Sequence, residues 1–245
     1  MSRSAFSQQA KQYVTHRPTY PESLIQYLVS LAKDRQSVWD CATGNGQLAC
    51  LLAPYFKEVQ ATDISEEQLR NARLHDRIVY SQSEAEKTNF KSNYFDLITV
   101  AQAVHWFNFG KFYAEVDRLA KPNAILALIG YGQLQVNSPI NRVMEEFYWD
   151  MFGQFFTENR QFVEKRYETI PFPYHEIETP DFSIDLKWSL SDLHGYLRTW
   201  SPVVKYMTDY RKDPTESVIK RLEKLWGAQQ QVRFPVFLRV GRVIK

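Results

Sequence analysis

The stretch VWDCATGNGQLA, residues 38–49, decides the fold class of this chain. It runs from apolar residues through an acid and a glycine-rich loop into a second apolar run, which is typical of a buried strand leading into a helix. Gly44, Gly46 and Ala49 fit the G-x-G-x-x-A pattern of a loop that binds a dinucleotide pyrophosphate. Asp40 argues against that ligand, because an anion beside the helix N-terminus would repel a phosphate. The loop therefore indicates an α/β ligand site and leaves the ligand open.

Strand and helix patterns alternate up to residue 132. Short apolar runs predict buried strands, and apolar residues at helical spacing predict the helices between them. Such alternation with short connections calls for a parallel sheet covered by helices on both faces. We therefore predict a doubly wound α/β fold with a mostly parallel, seven-stranded sheet. The predicted strands are 37–43, 59–64, 77–82, 95–104 and 124–132, and the predicted helices are 20–33, 46–56, 65–74 and 109–120.

The pattern changes after Tyr131 into a segment rich in aromatic residues, 133–182. We predict that this segment is a mostly helical insertion that covers the active site and decides substrate choice. Strand patterns at 183–190 and 232–240, with helical patterns between them, follow the insertion. The predicted parts are an N-terminal helical lid (1–34), a cofactor-binding α/β core (35–132), the helical cap (133–182) and C-terminal elements that complete the sheet (183–245).

Composition excludes several classes of function. The formal net charge of +2 gives no reason to expect a nucleic-acid partner. Two cysteines form no C-x-x-C pair, and five histidines show no zinc spacing, so we expect no metal. No apolar run approaches the ~20 residues that span a membrane. We expect a cytoplasmic monomer or homodimer with no membrane partner; a mitochondrial presequence is the minor alternative for residues 1–21, which contain no acid.

Chemically unusual residues gather where the predicted parallel strands end, the edge at which open α/β sheets bind ligands. Asp63 ends the second strand, 17 residues after Gly46, where a carboxylate can accept both hydroxyls of a ribose. Asp40 beside the loop favours a cation over a phosphate. The two acids together predict a cationic nucleoside such as S-adenosylmethionine, which carries a sulfonium and an ammonium group and no phosphate.

With these motifs, the sequence resembles the class I S-adenosylmethionine-dependent methyltransferases, and more narrowly the small-molecule group that includes trans-aconitate methyltransferases. The family's first motif is an acid followed by G-x-G-x-G. It matches residues 40–46, with Ala42 replacing the first glycine, and we expect binding to survive this small change. The resemblance covers residues 6–131. It also rests on ATDIS (61–65), SEAEKTNF (83–90), AQAVHWF (101–107) and the lid-like FSQQAKQYVTHRPTYP (6–21).

The resemblance implies S-adenosyl-L-methionine as the cofactor and a small molecule, possibly anionic, as the methyl acceptor. Asp63 would hold the ribose, and Glu84 and Ala85 would meet the adenine. Gln68 would reach the cofactor from the second helix, although helix capping explains that residue equally well. The cofactor-binding candidates are Asp40, Ala42, Gly44, Gly46, Asp63, Ile64, Gln68, Glu84, Ala85 and Gln102.

His105 is the candidate catalytic residue, because it follows the fourth strand where the methyl group should emerge. The acceptor is expected to be an oxygen of a carboxylate or a hydroxyl. A carboxylate is ionised at neutral pH and needs only a cation such as Arg17, whereas a hydroxyl benefits from a general base. The substrate-binding candidates are Tyr13, Arg17, Trp106 and Tyr131, and packing is the alternative role for each.

Three other functions stay open on the sequence. A methyltransferase could act on carbon or nitrogen of another small molecule, or on RNA, although the near-neutral charge argues against RNA. An NAD-dependent oxidoreductase would share the fold, but Asp40 argues against it. A non-catalytic S-adenosylmethionine-binding protein is the third, and Ala42 is the only residue that hints at it.

Overall fold

The computed structural model of the protein describes residues 17–154 and 159–245. Its strands form one sheet in the order β3-β2-β1-β4-β5-β8-β6, and β7 pairs with β8 outside that path. The strands are β1 Ser37–Cys41, β2 Glu58–Asp63, β3 Ile78–Gln82, β4 Phe95–Ala101, β5 Ala120–Tyr131, β6 His175–Ile177, β7 Phe182–Trp188 and β8 Gln230–Arg242.

Helices connect β1 to β2, β2 to β3 and β4 to β5, and they form most of the described chain between β5 and β8. A short 3-10 helix, Val104–Trp106, follows β4. The α-helices of the described residues are α1 Glu22–Leu31, α2 Gln47–Leu52, α3 Glu66–Arg70, α4 Phe109–Leu119, α5 Ser138–Gln154, α6 Arg160–Glu164, α7 Leu190–Leu197, α8 Ser201–Tyr210 and α9 Thr215–Trp226. Among these residues, none of the helices combines the length and the hydrophobicity needed to cross a membrane.

The sheet confirms the predicted α/β fold. Strands β1 to β5 are paired in parallel, and β8 runs antiparallel to β5. The sheet contains eight strands where seven are predicted, because the three residues His175–Ile177 within the predicted insertion also pair with β8. The carboxyl ends of β1 to β5 therefore lie at one edge, as the sequence predicts.

Burial explains why the central strands are apolar runs without alternation. All five residues of β1 are buried, and six of the seven residues of β4 are buried. Trp39 is fully buried on β1, and its indole Nε1 donates a hydrogen bond of 2.8 Å to Thr62 Oγ1 on β2. That bond satisfies the one polar atom of a large apolar side chain, which is the usual requirement for a buried tryptophan.

The described chain divides into two compact units. The core unit comprises residues 20–132, 159–182 and 236–245. The helical unit comprises the described parts of 1–19 and 133–158, together with 183–235. The aromatic insertion predicted at 133–182 is thus shared between the two units. Its second half lies in the core unit, where α6 packs against the 3-10 helix.

The interior of the helical unit is built largely from aromatic rings. Trp200 stacks on Phe147 with ring centroids 6.0 Å apart and meets Tyr148 and Tyr196 edge-on at 5.8 Å. The Trp226 indole Nε1 donates a hydrogen bond of 3.1 Å to a strand β7 carbonyl, so this buried ring also has a polar partner. The aromatic richness of the sequence after Tyr131 therefore forms, in this unit, a packed core.

Candidate cofactor and substrate site

The glycine-rich loop connects β1 to α2 and has an unusual backbone. Ala42, Gly44 and Gly46 all have positive φ angles, of 54°, 59° and 77°. A side chain at Gly46 would place its Cβ 2.0 Å from the Tyr80 hydroxyl, so any other residue there would force the Tyr80 side chain to move. A Cβ at Gly44 would meet only Gln68 Oε1, at 4.0 Å, which leaves the backbone of the loop open to a ligand at that point.

Asp40 is the buried acid of the loop, with 1% of its surface exposed. Its two oxygens accept hydrogen bonds from the hydroxyls of Thr43 and Thr99, and the backbone N–H of Ala49 donates to the same carboxylate. Burial nevertheless raises the pKa of Asp40 to about 6, and the negative charge of Asp63 acts in the same direction. A cation placed beside this carboxylate would therefore be strongly favoured.

Asp63 lies at the end of β2, next to the loop, and is half-buried. Its two oxygens accept backbone N–H bonds from Gly44 and Ser65, each of 2.8 Å and each on a different oxygen. A carboxylate oxygen has two lone pairs, so both oxygens can accept a further hydrogen bond from a ligand hydroxyl. Asp63 thus fixes the loop backbone, and each of its oxygens can still accept a hydrogen bond from one ligand hydroxyl.

Residues after β2 and β3 extend this site. Ile64 exposes 68% of its surface, which is unusual for an isoleucine and leaves an apolar side chain for a ligand ring. The backbone N–H of Ser83 bonds to the carbonyl of Asp63 at 3.1 Å, which brings the end of β3 beside β2. Glu84 is exposed and Ala85 is buried immediately after that contact. Gln68 lies on α3, whose N-cap Ser65 accepts a 3.3 Å bond from the Gln68 backbone N–H.

The end of β4 holds a second strained backbone position. Gln102 has a φ angle of 56°, an uncommon conformation for a residue with a side chain. Its backbone N–H bonds to Ile129 and its side-chain Nε2 to the carbonyl of Tyr131, at 2.8 and 3.2 Å. The Tyr131 ring packs against Tyr20 with centroids 6.3 Å apart. The ends of β4 and β5 are thereby tied together.

His105 lies in the 3-10 helix after β4 and is 7% exposed. Its Nδ1 is 3.2 Å from the hydroxyl of Tyr167, a fully buried residue 62 positions further along the chain. Burial, with the nearby positive charge of Arg160, lowers the pKa of His105 to about 4. The imidazole is therefore neutral at physiological pH. Its neighbour Trp106 is 60% exposed.

The structure brings most of the predicted cofactor-binding residues to one edge of the core unit. Tyr13 falls outside the described residues. Arg17 belongs to the helical unit, where its Nη2 donates a 3.1 Å hydrogen bond to the carbonyl of Thr199 and its guanidinium lies 5.5 Å from the centre of the Tyr196 ring.

Sequence reasoning missed three kinds of residue at this edge. Tyr167 stands inside the aromatic segment with no local signal that it would meet His105. Thr43 and Thr99 are common polar residues, and only the strand pairing reveals them as partners of Asp40. Tyr80 favours glycine at position 46, but its contact with that position could have been predicted only from the register between β2 and β3.

The chemistry of this edge fits S-adenosylmethionine. A half-buried carboxylate suits a ribose, the exposed Ile64 suits an adenine face, and the buried Asp40 suits a cation. A pyrophosphate would have to lie beside two acids, which its own charge disfavours. Among residues 17–154 and 159–245, no group of three or more histidine, cysteine or acidic side chains could hold a metal ion.

Comparisons with known proteins agree with this chemistry. A family model described as a methyltransferase domain matches residues 39–128. The chain is 31% identical over 247 aligned residues to a "Putative methyltransferase" of Dictyostelium discoideum, and the alignment covers 97% of this chain and 94% of that protein. It is 26% identical to a "Probable S-adenosylmethionine-dependent methyltransferase" of Saccharomyces cerevisiae, over 61% of this chain and 56% of the relative.

A solved structure supports the same assignment. The "Putative Type II Methyltransferase" from Anaeromyxobacter dehalogenans superimposes with a TM-score of 0.85 at 34% identity, covering 93% of this chain and 98% of the other. Fold, site and relatives define an enzyme that transfers methyl groups. This chain belongs to the class I S-adenosylmethionine-dependent methyltransferases, and S-adenosylmethionine is its cofactor.

Proposed function

We propose that this methyltransferase acts on an oxygen atom of a small organic molecule, either a carboxylate or a hydroxyl. The observation that carries the proposal is the pair of residues after β4, a buried neutral imidazole at His105 followed by the exposed indole of Trp106. The imidazole offers a polar contact to the acceptor atom, and the indole offers an apolar wall to the rest of a small substrate. His105 is the catalytic candidate, and Trp106 and Tyr131 are the substrate contacts proposed in the core unit.

The cofactor-binding assignments support this arrangement. Asp63 would accept the ribose hydroxyls, Asp40 would face the cationic amino-acid part, and Ile64 would pack on the adenine. The remaining proposed contacts come from the loop and from the ends of β3 and β4. They are Ala42, Gly44, Gly46, Gln68, Glu84, Ala85 and Gln102.

The chain itself mainly positions the reactants. When bound, S-adenosylmethionine supplies an electrophilic methyl group on a sulfonium with a good leaving group. Hydrogen bonds from neighbouring strand and loop residues hold Asp40 and Asp63 in place, and such preorganisation lowers the entropic cost of aligning the reactants. The neutral His105 then provides one polar contact beside an apolar surface.

Several features favour a small, possibly anionic substrate over a nucleic acid. The net charge of +2 gives no reason to expect a nucleic-acid substrate. The sequence resemblance to trans-aconitate methyltransferases points toward organic acids. Tyr13 and Arg17 remain proposed substrate contacts, the segment 133–182 remains the proposed cap, and a cytoplasmic monomer or homodimer remains the proposed state.

The test is an end-point assay by mass spectrometry with S-adenosylmethionine and four substrate pools: small carboxylic acids, alcohols and phenols, amines, and RNA. A methyl ester or methyl ether supports the proposal. A methylated amine, carbon or RNA product contradicts it. Binding of S-adenosylhomocysteine with no turnover of any pool would instead favour a non-catalytic binding protein.

A matched pair of variants ties the activity to the site. His105→Gln should reduce turnover of the active pool at least about tenfold, the order of effect of one lost polar contact at a reacting group. His175→Gln changes an exposed histidine of β6 and should leave turnover unchanged. Equal losses in both variants would show that the assay reports general damage and would remove the support for His105.

A further inference from the structure

The contact between His105 and Tyr167 determines which nitrogen of the imidazole carries the proton. Among residues 17–154 and 159–245, His105 Nδ1 is the only hydrogen-bond partner that the Tyr167 hydroxyl has, at 3.2 Å. Tyr167 is fully buried, so no solvent replaces that partner. A buried O–H group without an acceptor destabilises the fold. The hydroxyl therefore donates to Nδ1, which leaves the proton of the neutral ring on Nε2.

The backbone around Tyr167 is held in a costly conformation. Arg166 and Tyr167 have successive positive φ angles of 52° and 64°. Such positions in residues with side chains persist where the surroundings fix them, and they cluster at functional sites. Arg239 of β8 supplies the fixation, because its Nη1 donates to the carbonyls of Tyr167 and Ile170 at 3.1 and 2.6 Å. Glu176 binds the same guanidinium with both carboxylate oxygens.

Packing places the Tyr167 ring as firmly as its backbone. Phe237 of β8 meets it edge-on, with centroids 4.9 Å apart and planes at 90°. A Cβ at Gly130 would lie 2.0 Å from Phe237, so the glycine of β5 leaves room for that ring. The hydroxyl is thus presented to His105 by a rigid chain of contacts from β5 and β8.

We propose that Tyr167 is a positioning residue that locks His105 in the Nε2–H tautomer, so that the imidazole donates a hydrogen bond to an anionic acceptor oxygen. The inference rests on the proposed function and chooses between its two acceptors. Among the described residues, the structure gives His105 Nε2 no hydrogen-bond partner, and the residue keeps 7% exposure. This nitrogen is the one left for a substrate.

A carboxylate acceptor can receive the hydrogen bond from Nε2–H, and its methylation requires no proton transfer. A lone pair of a carboxylate oxygen forms the new O–C bond as the C–S bond breaks, and the electrons of that bond neutralise the sulfonium. The products are a methyl ester and S-adenosylhomocysteine, and no proton has to be removed. A hydroxyl acceptor would have to lose a proton, which neither nitrogen can take, since Nε2 already carries one and Nδ1 accepts from Tyr167.

The experiment reads the tautomer directly by nuclear magnetic resonance of protein with 15N-labelled histidine side chains. His105→Gln identifies the His105 signals by their loss. The expected result at neutral pH is a protonated Nε2 and an unprotonated, hydrogen-bonded Nδ1. A proton on Nδ1 would overturn the proposal, because the ring would then donate to Tyr167 and present Nε2 as a base.

Two matched variants separate positioning from packing. Tyr167→Phe removes only the hydroxyl and should yield a mixture of tautomers. Its turnover of a carboxylic acid should fall about tenfold, the order of one hydrogen bond. Tyr113→Phe removes a hydroxyl that bonds to the carbonyl of Pro171, in the same segment, and should preserve the tautomer. An unchanged His105 spectrum in Tyr167→Phe would contradict the lock.

The failure of the proposed function would look different. S-adenosylhomocysteine affinity, measured by calorimetry, should stay within about twofold in both variants, because neither hydroxyl contacts the proposed cofactor site. If the wild-type protein methylates no oxygen substrate, the proposed function is wrong while the tautomer result still stands. If it methylates alcohols but not acids, the acceptor assignment alone is wrong.

Discussion

The core unit and the helical unit differ in where strain and buried charge are held. Seven non-glycine residues among those described have positive φ angles, and six of them lie in the core unit. The buried acidic and histidine side chains of the described residues are also in the core unit: Asp40, Asp96, His105 and Glu115. Both units bury aromatic rings, but the described residues of the helical unit bury no acidic or histidine side chain. Strained positions and buried acids are retained where function or specific partners require them, so we expect the cofactor-binding residues in the core unit.

The largest expected effect is on the free energy of unfolding, compared for a tryptophan-to-alanine substitution in each unit. Trp200→Ala removes a ring, 7% exposed, that contacts Phe147, Tyr148 and Tyr196, so it should lower the free energy of unfolding by about 3–5 kcal/mol. Trp106→Ala removes a ring that is 60% exposed and should change it by no more than about 0.5 kcal/mol. Urea denaturation followed by circular dichroism measures both, and similar losses would break the comparison.

The next effect is on cofactor affinity. Asp63→Ala removes an acceptor for ribose and releases the Gly44 and Ser65 backbone donors, so affinity for S-adenosylhomocysteine should fall at least about a hundredfold. Asp185→Ala makes the same change in the helical unit, where the carboxylate pairs with Arg233 on an exposed surface. Calorimetry should find its affinity within about twofold of the wild type. A weak effect of Asp63→Ala would exclude it as the ribose ligand.

The third effect uses the raised pKa of Asp40. Since folding raises the pKa of this carboxyl from 3.8 to about 6, the folded state favours the protonated form. Ionisation therefore lowers stability progressively as the pH rises from about 3.8 to about 6, and the full penalty remains at higher pH. A cationic ligand reverses this preference. Cofactor affinity should then fall about tenfold per pH unit below about 6, as measured by calorimetry between pH 5 and 8.

Asp40→Asn tests the cause of that pH dependence. Loss of the buried charge should raise the free energy of unfolding at pH 8 by about 1–3 kcal/mol, weaken cofactor binding, and abolish its pH dependence. Asp96→Asn is the control in the same unit, because Asp96 accepts from the backbone of Ser37 at 2.9 Å and pairs with Lys121 at 2.6 Å. That variant should be less stable than the wild type. A stability loss in Asp40→Asn would show that its hydrogen bonds outweigh its charge.

Local sequence patterns predicted some features of the fold and site but not others. Apolar runs and helical spacing are local properties, so they predicted β1 to β5 and placed Asp40 and Asp63 at one edge. The helix predicted at 65–74 ends at Arg70, because the backbone N–H of Arg73 bonds instead to the carbonyl of Asn45 in the glycine-rich loop. Short-range patterns carry no information about such a tertiary contact.

The contact at His105 was beyond the sequence for the same reason. Tyr167 follows it by 62 positions and reaches it only because α6 and the following turn pack in the core unit, with Arg239 holding the turn. An aromatic segment predicts apolar packing but does not say which hydroxyl finds a buried partner. The predicted cap over the active site stays a prediction.

The smallest expected effect concerns Ala42, whose φ angle of 54° is where glycine is favoured. A residue with a side chain is destabilised by about 1–2 kcal/mol in this region of backbone conformation. Glycine avoids that strain, but its greater freedom in the unfolded state cancels part of the gain in stability. Ala42→Gly should therefore stabilise the protein by at most about 1 kcal/mol and change S-adenosylhomocysteine affinity less than about threefold. Ala114→Gly, at an exposed position within α4, should destabilise it by about 1 kcal/mol. If urea denaturation shows that Ala42→Gly raises the free energy of unfolding and Ala114→Gly lowers it, the backbone strain lies at Ala42. If both variants lose stability alike, Ala42 is fixed by packing, and the strained loop no longer distinguishes the two units.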